Sequence, residues 1–304
     1  MTDTDDGDGS LVALVGATGG AGTTRTSVEL ATTLARGGRS AVVVDAAFAT
    51  QGLSEYVAGR IAPDVTALVT DETNVPVRSA TVELADAPLD DEAQHSFGSV
   101  ELLPAYAPFE RLARAKTPAA AERFEELLAG AADAFDHAIV DVPPVASNQA
   151  IAAVSAADTV VAVTPADDHG TDSLVRLRDR LADLDVPVDA AVGVGGELPV
   201  AGSSTESSST ESSSTESSST ESSSTESSSF VNSSTMNLSL PGTDPSPHDA
   251  PSCLEDDRYG EALVELAEST IGVTLSIAFE PESVRDRVAA AVTDRVGPNA
   301  TDGS

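Results

Sequence analysis

Seven short, valine-rich apolar runs separated by longer stretches of helical periodicity set the tightest limit on what this chain folds into. The runs are Leu11–Val15, Ala41–Val44, Val100–Leu103, Ala138–Val140, Val160–Val163, Val188–Val194 and Val273–Phe279. Most lack the polar alternation of a strand with one wet face, so they read as strands covered on both faces of a parallel sheet. Helical patterns lie between them at 23–37, 117–134, 148–155, 171–184, 256–270 and 281–296. In the last of these, Val284, Val288, Ala291, Val292 and Val296 share one face. Strand, helix, strand in this order predicts an α/β fold: a doubly wound, mainly parallel sheet with helices on both faces and right-handed crossovers.

One stretch breaks the alternation. From Ser203 the chain repeats Ser-Ser-Ser-Thr-Glu, with Thr-Glu pairs starting at 205, 210, 215, 220 and 225. It holds almost nothing to bury, and a period of five matches no packed solenoid, so it reads as a disordered insert. The expected organisation is an acidic disordered leader over 1–10 and the first part of one domain over 11–201. The Ser/Thr/Glu-rich insert follows over 202–252, then a last helix–strand–helix of the same domain over 253–297 and a disordered tail over 298–304.

Charge narrows the function. The chain has 16 Lys+Arg against 50 Asp+Glu, a net −34, and Lys116 is its only lysine. Outside 202–252 there remain 43 acids against 16 bases, so the excess is spread over the folded part. No segment clusters Lys and Arg as a phosphate backbone requires, which argues against direct nucleic-acid binding. A surface this acidic suits a protein kept soluble at molar salt, and we read it as halophilic. Cys253 is the sole cysteine, excluding an intrachain disulfide, and the four histidines have no ligand spacing. No apolar run reaches the roughly 18 residues of a membrane span. Met1–Asp6 lacks the features of a signal peptide, so the expected location is cytoplasmic.

The chemistry concentrates in one loop. The first strand runs into Gly16-Ala-Thr18-Gly19-Gly20-Ala21-Gly22-Thr23-Thr24-Arg25, where a helix begins. A glycine-dense turn lets backbone N–H groups converge on an anion, and the helix N-terminus adds partial positive charge, so the turn reads as a phosphate loop. Two versions compete. As Gly16-x-x-Gly19-x-x-Gly22 it fits a dinucleotide fingerprint with Asp45 as ribose partner, which would make the chain a Rossmann-type NAD(P)-binding sensor. A Tyr-x-x-x-Lys catalytic pair is impossible, because position 112, four before the only lysine, is leucine.

The second version covers more of the chain. Thr18-Gly-Gly-Ala-Gly-Thr-Thr24 resembles the deviant Walker A loop, Lys-Gly-Gly-x-Gly-Lys-Thr, of the MinD/ParA family of P-loop ATPases. Val42-Val-Val-Asp45 looks like that family's second strand and switch-I aspartate. His137-Ala-Ile-Val-Asp141-Val-Pro-Pro resembles its Walker B strand, Thr159–Pro165 the strand after it, and Gly272–Glu282 its late strand. The resemblance implies a P-loop NTPase fold binding ATP or ADP with Mg²⁺, and a dimer that localises a protein cargo.

The departures from the family bear on activity. Thr18 stands where the signature lysine reaches across the dimer, and Thr23 where the Walker lysine neutralises the β- and γ-phosphates. Ala17 replaces the first loop glycine, Ala47 the water-positioning aspartate, and Val145 the Walker B glycine. The strand that normally ends in a base-contacting asparagine ends as Gly195-Gly196. The resemblance implies nucleotide binding through Thr18, Gly19, Gly20, Ala21, Gly22, Thr23, Thr24 and Arg25, and Mg²⁺ binding through Thr24, Asp45 and Asp141. Arg25 reads either as a guanidinium for the phosphates or as a solvent-facing first-turn residue. Hydrolysis is expected to be weak or lost. The TadZ/CpaE-like pilus-localisation branch also lacks the Walker lysine, and Gly-Thr-Thr here looks most like it. Expected partners are a second copy or a lysine-bearing relative, and an unidentified cargo. The helix over 281–296 lacks the basic, bulky-apolar face of a lipid anchor. Asp167-Asp168-His169 reads as a nucleotide border or as a solvated loop.

Overall fold

A computed structural model describes residues 9–84, 96–144, 147–199, 235–243 and 251–279. Among the described residues eight strands form one sheet: β1 (Ser10–Gly16), β2 (Ser40–Asp45), β3 (Val82–Glu83), β4 (Ser99–Leu103), β5 (His137–Val142), β6 (Thr159–Pro165), β7 (Ala190–Val194) and β8 (Met236–Leu240). Their order is β3-β4-β2-β5-β1-β6-β7-β8, parallel throughout except for the antiparallel edge strand β3. Register places Asp45 at the end of β2 beside Asp141 on β5, and Leu14 of β1 opposite the same Asp141. Three strand ends thus converge where β1 enters the glycine loop.

The valine runs form strands because both faces are covered. Ala13, Val15, Val42, Val44, Val140 and Val142 enter one core with α5 (Pro118–Ala134), α6 (Asn148–Ala156) and α7 (Asp168–Ala182). Their neighbours Val12, Leu14, Ala41, Val43 and Ile139 enter the other, with α1 (Thr23–Arg36) and α8 (Asp257–Ile271). Three short helices, α2 (Val65–Val69), α3 (Val77–Ala80) and α4 (Phe109–Ala115), complete the first layer.

Helix α1 lies buried along most of its length although it is rich in Ser and Thr. Its hydroxyls are satisfied locally: Thr26, Ser27, Thr32 and Thr33 each donate to the carbonyl four residues earlier, at 2.9–3.0 Å. Such bonding lets polar side chains enter a core without stranding a donor. Thr117 caps α5, with Pro118 at its first position, and Asp256 caps α8 through Tyr259 N at 3.1 Å.

The doubly wound, mainly parallel sheet expected from sequence is present. Two assignments change. The stretch 202–252, expected to lack structure as a whole, contains β8. Leu238 and Leu240 are buried there and Met236 is exposed, a short alternation that fits an edge strand. Conversely, Val273–Phe279 is not a strand. Leu275 is buried against Gly37, and Arg36 donates to Ala278 O at 3.1 Å while stacking over Phe279. The segment therefore packs against α1 without joining the sheet, and the sheet edge is occupied by β8. Residues 1–8, 202–234, 244–250, Glu280-Pro281-Glu282, the helix expected over 281–296 and the tail lie outside the described residues. Among the described residues no helix is long and apolar enough to cross a membrane.

Candidate functional site

The site grows from the turn between β1 and α1. Ala17 N donates to Val163 O at 2.8 Å, which seats the loop on β6. The chain then turns through Gly20 (φ 76°) and Gly22 (φ 86°), left-handed conformations that strain any side chain-bearing residue. Gly22 O accepts from Thr26 N at 2.9 Å to open the helix, and no side chain caps α1. The amides of a first helical turn have no intrahelical acceptor, so the uncapped end is suited to an anion.

All eight loop residues named from sequence, Thr18 through Arg25, line one cavity of about 470 Å³. Its opposite walls are Asp141–Pro144 at the end of β5 and just beyond it, Ala47, Thr50 and Tyr56 after β2, Val194 at the end of β7, and Thr243 and Tyr259. The cavity sits at the carboxyl ends of the central strands, where open α/β sheets hold ligands.

Thr24 and Asp141 meet on its wall: Thr24 Oγ1 donates to Asp141 Oδ2 at 2.6 Å. Asp45 lies beside them but outside the lining. It is fully buried, and its carboxylate accepts from Ala47 N at 2.7 Å and Ala105 N at 3.2 Å. This placement weakens its reading as a ribose partner. A hydroxyl and a carboxylate on the wall fit Mg²⁺, which takes one or two carboxylates and completes its shell with water and phosphate. Among the described residues no three of His, Cys, Asp and Glu converge as a metal cage.

Burial and the adjacent Asp141 push the Asp45 carboxyl up to about 8, against the pull of the two amides. Burial likewise raises Asp141 to about 6, partly offset by the Thr24 hydroxyl. A carboxyl raised on folding contributes stability that is complete below its ordinary value of 3.8 and lost as pH rises through the folded value. The metal-free protein therefore loses stability from Asp45 between pH 4 and 8. Thermal melts should show Asp45→Asn gaining on wild type as pH rises from about 6 to about 8, by a few degrees. A difference independent of pH would refute that placement of the charge.

Arg25 lines the cavity and is not the solvent-facing first-turn residue that one of its two expectations made it. It is 7 % exposed, its Nε donates to Glu29 Oε1 at 2.6 Å and its Nη2 to Ser252 Oγ at 2.6 Å. The guanidinium is thus committed to a buried carboxylate one helical turn away. Glu29 escaped the sequence reading, although a carboxylate four residues after an arginine on a helix is a visible pairing signal. Asp167 caps α7, accepting from Gly170 N at 2.6 Å, which gives Asp167-Asp168-His169 a structural role. Gly170 itself is required there, since a Cβ would lie 2.0 Å from Pro165 O.

The family described as "AAA domain" matches residues 9–186, more than half of the chain. The chain belongs to this AAA-domain family. Its glycine loop, α1 and the aspartates ending β2 and on β5 lie together on this fold, in the arrangement that the resemblance to the MinD/ParA family implies. The septum site-determining protein MinD of Pyrococcus horikoshii OT3, complexed with Mg-ADP, superposes with a TM-score of 0.51 at 16 % identity, covering 61 % of this chain and 70 % of that one. The cell division ATPase MinD of Pyrococcus furiosus gives 0.51 at 19 % identity, covering 62 % and 72 %. At such identities the likeness is one of fold. No curated protein sequence matches.

Proposed function

We propose that this AAA-domain protein binds ATP or ADP with Mg²⁺ at the glycine loop, hydrolyses ATP weakly or not at all, and acts as a positioning or partitioning scaffold. The observation that carries this reading is the charge at the cavity. Among its described lining residues only Arg25 and Asp141 are charged, and Arg25 is paired with Glu29. Backbone N–H groups and Mg²⁺ would hold phosphates, while no lining lysine is present to stabilise charge in phosphoryl transfer. When bound, Mg²⁺ would supply charge neutralisation to the phosphates, and Thr24 and Asp141 would hold it, with Asp45 beside Asp141. The similar MinD complexed with Mg-ADP supports the choice of ligand.

The scaffold is read as acting through dimers, with itself or with a lysine-bearing relative, to localise a protein cargo in the manner of the TadZ/CpaE-like branch. The acidic surface fits a halophilic cytoplasm. The deciding experiment titrates Mg-ATP, Mg-ADP and NAD by calorimetry in molar KCl, then follows phosphate release. Expected are micromolar binding of the adenine nucleotides on the order of −8 kcal/mol, no competition by NAD, and release no faster than from Asp141→Ala. Turnover well above that variant would mark an active ATPase. Absence of any nucleotide binding by folded protein would leave only the scaffold.

A further inference from the structure

One helical turn beyond the glycine loop, buried polar groups converge that phosphate binding does not use. Glu29 is fully buried and lies outside the cavity lining. Its Oε1 accepts from Arg25 Nε at 2.6 Å and Ser252 N at 2.7 Å, and its Oε2 from Cys253 N at 2.9 Å. Arg25 in turn donates to Ser252 Oγ at 2.6 Å, and its positive charge acts on the Tyr56 hydroxyl. Ser252 O accepts from Asp256 N at 2.9 Å, and Asp256 caps the helix that carries Tyr259. Tyr56, Thr243 and Tyr259 all line the cavity.

Two walls from distant parts of the chain therefore meet α1 at one ion pair, one held by hydrogen bonds and the other within reach of its charge. Tyr56 follows the loop after β2, while Ser252 is 223 residues from Glu29, beyond the insert. A buried ion pair contributes little net stability over an apolar replacement, so its effect lies mainly in the geometry it specifies. The glycine loop does not depend on it, since Gly20, Gly22 and the first amides of α1 are set by local backbone turns. Resting on the nucleotide-binding reading, we propose that Arg25 and Glu29 form a positioning pair that sets the Tyr56 and Tyr259 walls. Through those walls the pair governs recognition of the nucleoside portion of the ligand, separately from the phosphates. The half-buried Tyr56 offers apolar aromatic surface of the kind a nucleobase requires, and the buried Tyr259 belongs to the packed wall of the same cavity.

The test titrates the full chain with Mg-ADP and, separately, with Mg-pyrophosphate, which engages the loop alone. Expected for Glu29→Gln is a loss of about tenfold or more in ADP affinity with pyrophosphate binding kept within about twofold. Ser252→Ala removes one hydroxyl from the same link and should weaken ADP by about threefold with the same selectivity. It carries the test if Glu29→Gln does not fold. Equal loss of both ligands would show a merely structural pair and overturn the proposal, as would unchanged ADP affinity. Wild-type protein that takes pyrophosphate but not ADP would overturn it while sparing the phosphate loop. Wild-type protein that takes neither would bring down the nucleotide reading as well.

Discussion

Thr24→Ala should lower the affinity for Mg-ADP by about a hundredfold and abolish the difference between titrations with and without Mg²⁺. Thr24 joins the glycine-loop helix to β5 through its 2.6 Å hydrogen bond to Asp141. The hydroxyl has two tasks there: it offers an oxygen toward the metal and orients the carboxylate that shares it. A hydrogen bond to a charged group is worth about 1.5–3 kcal/mol, and a hundredfold is about 2.8 kcal/mol, so one deletion accounts for the expected loss. The fold should survive, because α1 is anchored along its length by apolar contacts and by its own back-bonded hydroxyls. The hydroxyl also opposes the upward push of burial on Asp141, so the variant's carboxyl should hold its proton more tightly. Affinity within about threefold of wild type, in protein with an unchanged melting profile, would show that the metal is held elsewhere.

The sequence made the centre of this molecule legible because its physics is local and periodic. Runs such as Val42–Asp45 announce a strand covered on both faces, and the Gly19–Gly22 turn announces left-handed backbone where a helix starts. Register then does what no spacing shows: it lays Asp45 beside Asp141, whose carboxylate accepts from Thr24. Elements fixed by long-range competition were harder to read. Val273–Phe279 and Met236–Leu240 both alternate apolar and polar residues, and only the tertiary structure decides which holds the sheet edge. The role of Arg25 was hidden for a similar reason. Its partner Glu29 is near in sequence, but Ser252 and Tyr56, which complete the link, are not.

Thr23→Lys should raise affinity for Mg-ATP by about tenfold or more while changing Mg-ADP by less, turning an indifferent site into one that prefers the triphosphate. Thr23 is the first residue of α1 and lines the cavity. Its Oγ1 is folded back toward β1, so close that a Cβ on Gly16 would lie 2.7 Å from it. The position therefore contributes no charge to the phosphates, and Arg25 is already paired with Glu29. One added cation about 4 Å from the extra phosphate charge is worth up to about 4 kcal/mol at an effective dielectric near 20. Ordering a flexible lysine and stripping its water take back a large part, leaving about 1.4 kcal/mol or more, which is the tenfold expected. Without nucleotide the same change should be mildly destabilising, by about 0.3–1 kcal/mol, because it places a cation at the positive end of a helix. The variant should thus melt slightly below wild type when free and gain more from ATP than wild type does. If the ratio of ATP to ADP affinity stays at the wild-type value, the loop is not limited by its missing charge. The cation would then have to come from outside the loop, and a partner subunit's side chain becomes the next place to look.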